Sequence, residues 1–153
     1  MKQEQHMTSN QRILIYYDGT EEARSAIARA SRIALALDAH IHVLTVVDTN
    51  TAIVSTSGML CEPAYFLIEN RARDVLQEAL DHMTARGIKV SGHFAVGNVV
   101  ERIAQHAEMI DADLLVVGHR RRYGLARWLG GAPTYSELVD RAKGRTVITV
   151  AVA

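Results

Sequence analysis

The segment that decides the fold covers residues 114–124 and reads Leu-Leu-Val-Val-Gly-His-Arg-Arg-Arg-Tyr-Gly. Its apolar run ends abruptly in a glycine, and a cluster of cations follows at once. This pattern is typical of a buried parallel strand that opens into an anion-binding loop. Because open α/β sheets bind ligands at such strand ends, the segment predicts both a parallel sheet and a ligand site at its carboxyl edge.

Working outward from this segment, four more apolar runs alternate with stretches of helical spacing. The predicted strands cover residues 13–17, 41–47, 90–96, 114–117 and 146–152, and the predicted helices cover residues 20–37, 64–86, 98–110 and 134–141. The order βαβαβαβαβ predicts an α/β fold, a single open five-stranded parallel sheet with helices on both faces. Residues 48–63 and 118–133 lack a clear period and are predicted to be loops.

Three details of the predicted helices follow from side-chain chemistry. Thr20 has the hydroxyl that caps the first helix, and Asn98 with Glu101 has the spacing of a capping box. Leu37 is predicted to lie on the buried face of the first helix, four turns beyond its start.

Length and composition exclude several classes of protein. The 153 residues predict a flexible tail over residues 1–10 and one α/β domain over residues 11–153. Because seventeen basic residues balance seventeen acidic ones, no nucleic-acid partner is expected. No apolar run reaches the roughly 20 residues that cross a bilayer, and the polar N-terminus is no secretory signal. We expect a cytoplasmic protein with no membrane partner.

The turns at the predicted strand ends resemble those of the universal stress protein family. The resemblance rests on Tyr17-Asp18-Gly19-Thr20, on Thr45-Val46-Val47-Asp48, and on Val116-Val117-Gly118-His119 followed by Gly130-Gly131. It covers residues 11–153. It implies the strand order 3-2-1-4-5, a homodimer formed through the last strand at residues 146–152, and a regulatory or binding role in the stress response rather than enzymatic activity.

The resemblance also implies a site for ATP or another adenine nucleotide, with no cofactor otherwise expected. Asp18 and Val46 resemble the residues that meet the adenine, and the cations after the fourth strand are suited to steering an anion. The candidate site residues are Tyr16, Tyr17, Asp18, Val46, Val117, Gly118, Arg120, Arg121, Gly130, Gly131 and Ala132.

The glycine motif of the last loop departs from the pattern of the members that bind ATP, which is G-x2-G-x9-G-[ST]. Gly118 matches the first glycine, but Arg121 stands at the second, and the third is followed by Ala132 where the pattern has a hydroxyl. The third glycine itself falls on Gly130, Gly131 or Ala132, depending on the register. We therefore expect a degenerate site that binds ATP weakly or not at all.

Three alternatives stay open at this point. In two of them the chain is either a genuine ATP-binding member of the family or a slow nucleotide hydrolase that uses the same loop, with His119 or Asp18 aligning a water molecule. An unknown protein client is a further candidate partner. His40 and His42 share one strand face, but without a third ligand at readable spacing we assign no metal site.

Overall fold

The sheet and its helices lie within residues 10–49, 62–120 and 135–152, which the computed structural model describes. Strands β1 to β5 cover Arg12–Tyr16, His40–Asp48, Val90–Gly97, Leu114–Arg120 and Thr146–Val152. Helices α1 to α4 cover Glu21–Leu37, Glu62–Thr84, Val99–Met109 and Tyr135–Arg141. The strands pair in parallel, in the order β3-β2-β1-β4-β5. This confirms the α/β fold and the strand order.

The central strand β1 is buried on both of its faces. Ile13 and Ile15 are fully inaccessible to solvent and Leu14 is 1% exposed. The two isoleucines pack with α1 and α2 in one apolar cluster, while Leu14 packs with α3 and α4 in a second cluster on the other face. The helices therefore divide two and two over the sheet, as right-handed crossovers on either side of β1 require.

Both predicted helix caps are present. The Thr20 hydroxyl accepts from the backbone nitrogen of Ala23 at 3.3 Å, and the Asn98 side-chain oxygen accepts from the backbone nitrogen of Glu101 at 3.0 Å. Each cap satisfies a backbone donor that has no partner inside its helix. The caps fix where α1 and α3 begin, at the carboxyl edge of the sheet.

Some element boundaries differ from the sequence prediction. β4 continues through Arg120 because His119 and Arg120 keep pairing with Ala151 and Val152 of β5. The loop predicted from residue 118 onward was therefore placed three residues too early. α2 begins at Glu62, two residues earlier than predicted. The rest of the two predicted loops, residues 50–61 and 121–133, and residues 1–9 of the predicted tail lie outside the described residues.

Leu37 is not on the buried face of α1. Its side chain is 45% exposed, because α1 ends at this residue and Asp38 turns the chain toward β2 with φ at 49°. The buried stripe of α1 stops at Ala34.

We predict that Asn98→Ala lowers the free energy of unfolding by about 1 kcal/mol, because the substitution leaves a backbone donor of α3 without its cap. Asn98→Asp keeps an acceptor at the same position and should unfold at nearly the same urea concentration as the parent. Equal urea midpoints for the Ala variant and the parent would contradict a role for this cap.

Candidate functional site

A crevice opens at the carboxyl edge of the sheet because β1 ends before its neighbours. Tyr16, the last residue of β1, pairs with Leu44, and β2 runs on for four residues to Asp48. On the other side Ile15 pairs with Val116, so Tyr16 is level with Val117, and β4 runs three residues further to Arg120. At about 3.3 Å per residue, β4 extends roughly 10 Å and β2 roughly 13 Å beyond the end of β1. The crevice lies where the strand order reverses, the place at which open α/β sheets bind ligands.

Three of the predicted site residues meet on one face of this crevice. Val46 of β2 and Val117 of β4 belong to the apolar cluster that packs under α3, and the half-buried side chain of Tyr16 packs against the same cluster. Val46 is 7% and Val117 4% exposed. The crevice therefore has an apolar floor with an aromatic ring beside it, a surface suited to a flat apolar group.

Asp18 follows β1 directly and is exposed at the edge of the crevice. Its Oδ1 accepts a hydrogen bond from the backbone nitrogen of Thr20 at 3.0 Å and another from the Thr20 hydroxyl at 2.6 Å. These bonds make a tight turn in which Gly19 takes a φ of 78°. The carboxylate is thus held in place by the turn that begins α1.

Tyr17 does not join the crevice face. Its side chain is 3% exposed and packs on the opposite face of the sheet, in the cluster made with α1 and α2. Burial raises the pKa of the Tyr17 hydroxyl, against the opposing charge of Arg24. Its backbone carbonyl accepts from the buried Thr45 hydroxyl at 2.8 Å. The alternation of side chains along β1, which puts Tyr16 on one face and Tyr17 on the other, separates the pair that the sequence analysis had grouped together.

Gly118 faces α1 rather than an open space. A Cβ atom added to this glycine would overlap the backbone carbonyl of Glu22 and lie 2.8 Å from the backbone nitrogen of Ala23. The first turn of α1 therefore lies directly against β4, and any side chain at residue 118 would push it away. On this face of the sheet, α1 therefore covers the end of β4 at Gly118.

The other predicted site residues are less informative. Arg120 is the last residue of β4, paired with Val152. Arg121, Gly130, Gly131 and Ala132 lie outside the described residues.

Sequence reasoning missed one cation at the carboxyl end of β3, Arg102 of α3. Its Nε donates to the carbonyl of Val96 at 2.9 Å, and its side chain lies over Gly97, whose φ is 138°. A Cβ atom at Gly97 would lie 2.8 Å from that Nε. The signal in the sequence was a glycine followed by a helix cap with an arginine four residues beyond the cap, a spacing that lets the side chain reach back over the preceding strand end.

A second group that the sequence analysis left aside is a row of four imidazoles, which we call the histidine row. It consists of His40 and His42 of β2, His93 of β3 and His106 of α3. The ring centroids of successive members are 4.5, 5.2 and 5.7 Å apart. Within the described ranges, no three histidine, cysteine or acidic side chains are arranged to hold a metal ion.

The chain matches a known protein family over nearly its whole length. The family model described as the universal stress protein family matches residues 9–149. The chain belongs to the universal stress protein family. A universal stress protein of Methanocaldococcus jannaschii is 30% identical over 125 residues, which cover 79% of this chain and 71% of the relative.

Two solved members of the family share the fold. A universal stress protein crystallised in complex with cAMP is 24% identical, with a TM-score of 0.64 over 94% of this chain and 98% of its own. A universal stress protein of Archaeoglobus fulgidus in complex with dAMP is 16% identical, with a TM-score of 0.63 over 92% of this chain and 97% of its own. In the described part of this chain, no helix combines the length and the apolar character needed to cross a membrane.

We predict that Gly118→Ala lowers the free energy of unfolding by about 3 kcal/mol, the upper end of the usual range for overpacking, because the methyl group meets the backbone of α1 rather than a flexible side chain. Gly87→Ala is the matched control. Gly87 has a φ of 73° and open space around it, so this variant should lose only the roughly 1–2 kcal/mol of a left-handed alanine. Urea unfolding of both variants tests the difference, and an equal or smaller loss for Gly118→Ala would show that α1 does not bear on β4.

Proposed function

We propose that this chain is a binding and regulatory module of the stress response, and that its crevice is a weakened adenine-nucleotide site that binds ATP weakly or not at all. The observation that carries the proposal is the reversal of strand order between β2 and β4, with Val46, Val117 and Tyr16 on one face beside it. Such a surface fits a flat, largely apolar base.

The chemistry of the structural neighbours supports an adenine-containing ligand. Two of them are complexes with cAMP and dAMP, each of which has one adenine and one phosphate. An apolar floor with one aromatic side chain gives the base a place to pack. We infer that a nucleoside monophosphate fits the crevice better than a triphosphate.

The part of the site that would hold the phosphate groups has fewer of the family's contacts than the part that would hold the base. Close approach of a phosphate to backbone N–H groups needs residues without side chains, and the sequence has Arg121 where the family pattern has glycine and Ala132 where it has a hydroxyl. The loss of one hydrogen bond to a charged phosphate costs roughly 1.5–3 kcal/mol. That loss alone lowers the affinity about tenfold or more.

We further infer that the module binds its nucleotide without hydrolysing it. A hydrolase of this fold needs a side chain free to align water beside the phosphate, and Asp18 is one of the two candidates in the sequence. Its Oδ1 is engaged twice by Thr20, which favours a structural role in the turn.

We predict that Arg121→Gly combined with Ala132→Ser strengthens ATP binding about tenfold or more, because it restores both the backbone approach and the hydroxyl donor. Isothermal titration of the parent and the double variant with ATP, ADP, AMP, cAMP and dAMP measures this directly. The parent should bind the monophosphates at least as well as it binds ATP.

A matched control makes the same changes elsewhere. Arg86→Gly with Ala85→Ser alters the exposed turn after α2 and should leave every affinity unchanged.

Amide shifts caused by bound AMP should appear at Tyr16, Val46 and Val117 and be absent at His40, at the opposite edge of the sheet. Tight ATP binding by the parent that disappears in the double variant would overturn the proposal and make Arg121 a phosphate ligand. ATP turnover would identify a hydrolase, and no binding by either protein would favour a protein client.

We also propose that the module is a homodimer formed through β5. This strand is apolar, contains neither proline nor a charged residue, and lies at an edge of the described sheet. An uncovered edge of this kind offers its backbone groups to another strand, and a second copy covers both edges at once through a two-fold axis.

The dimer should appear in light scattering at micromolar concentration. Thr149→Lys with Ala151→Lys charges two exposed positions of β5 and should shift the mass to that of a monomer, since lysines on an edge strand block pairing. Thr84→Lys, at the exposed end of α2, should leave the dimer intact. A parent protein that scatters as a monomer would contradict the proposed assembly.

A further inference from the structure

The histidine row joins three elements on the α3 face of the sheet. His42 of β2 stacks on His40 and lies beside His93 of the neighbouring strand, with the His42 Nδ1 and His93 Nε2 atoms 2.9 Å apart. The ring of His106 on α3 meets the ring of His93 edge to face. All four rings are half-buried. A single contact chain of imidazoles thus runs from β2 through β3 to α3.

Each imidazole has a defined hydrogen-bond partner. His40 Nε2 lies 2.8 Å from the Ser91 hydroxyl, and His106 Nδ1 lies 3.1 Å from the backbone carbonyl of Arg102, to which it donates. Between His42 and His93 one nitrogen donates and the other accepts. This bond needs one bare nitrogen. It therefore survives with both rings neutral or with one extra proton, but not when both rings are protonated, because two N–H groups would then face each other.

The charges around the pair are positive. Arg12 of β1 and His40 of β2 act on His42, and His106 of α3 and His40 act on His93. Arg102 of α3 contacts the row only through its backbone carbonyl, which accepts from His106, because its guanidinium donates to Val96 and Gln105. Asp111, 3.6 Å from the Arg12 guanidinium, offsets part of that charge from the far side of the arginine. Among the described residues, no carboxylate acts on His42 or His93.

We propose that the histidine row is an acid-sensitive clasp, which holds β3 and α3 to β2 while its imidazoles are neutral and releases them when protons accumulate on the row. The proposal does not depend on nucleotide binding. Acid replaces the bond between His42 and His93 by repulsion, and the stack next to it gains further like charges. Among the described strands, β3 lies at an edge of the sheet and pairs with β2 alone. The chain continues from β3 directly into α3. The released unit is therefore the edge strand with the helix that follows it.

Burial and the neighbouring cationic groups support this reading. They lower the pKa of His42 to about 4, with burial the largest cause, and the pKa of His93 is lowered by burial and by His106 and His40. The pKa of a histidine in an unfolded chain is near 6.5. Between pH 6.5 and about pH 4 the unfolded chain therefore binds protons that the folded chain does not bind. The stabilisation from the neutral row is complete above pH 6.5 and is lost as the pH falls through that window.

Histidine titration in the intact protein, followed by NMR, is the first test. The His42 ring should titrate far below 6.5, and His106→Gln should raise the pKa of His93 because it removes a neighbouring charge. Amide protection factors in β3 and α3 should fall between pH 7 and pH 5 while those of β1 stay unchanged. A His42 pKa at or above 6.5 would overturn the proposal, as would an even loss of protection over the whole sheet.

Urea unfolding of variants is the second test. From pH 6.5 to pH 5 the unfolding constant of the parent should rise roughly tenfold more than that of His42→Gln with His93→Gln, since each proton bound only by the unfolded chain contributes up to about tenfold per pH unit. His82→Gln is the matched control, because His82 is an exposed residue of α2 outside the row, and it should follow the parent. Parallel pH profiles for the parent and the double variant would refute the clasp, and the NMR titration decides the matter if the double variant does not fold.

Discussion

The burial of β1 on both faces is the constraint on which the rest of this molecule depends. A strand that turns Ile13 and Ile15 to one side and Leu14 to the other, all without access to solvent, must be covered by helices above and below. The chain meets this need by building outward from β1 in two directions, first to β2 and β3, then across to β4 and β5. The reversal at β1 leaves a gap between the ends of β2 and β4. The candidate site is thus a geometric consequence of how the central strand is buried.

The sequence carries most of this architecture because its signals are local. Apolar runs locate the strands, and side-chain oxygens at Thr20 and Asn98 locate the helix starts, since a cap works through bonds within one turn. The end of β4 was misplaced because the glycine at residue 118 reads as the start of a loop, whereas pairing with β5, some thirty residues later, keeps the strand extended. Pairing between residues so far apart in the sequence cannot be recognised from a short segment of it.

The site was harder to anticipate than the fold. The sequence identified Tyr16, Val46 and Val117, which the strand register brings to one face, but it grouped Tyr17 with them because adjacent residues look equivalent until the pleat assigns them to opposite faces. The sequence placed His40 and His42 on one strand face, but it did not indicate the histidine row that they form with His93 and His106. Their partners come from neighbouring strands and a helix, at separations of up to about fifty residues, and side chains such as these show their role only once the elements are packed.

The contact of Gly118 with the first turn of α1 gives this glycine a structural role that is independent of any ligand. Even in a protein that binds no nucleotide, a larger residue here would destabilise the fold, because its side chain would overlap the backbone of α1. The presence of a glycine at residue 118 is therefore explained by the packing of α1 on β4, and by itself it does not indicate a nucleotide.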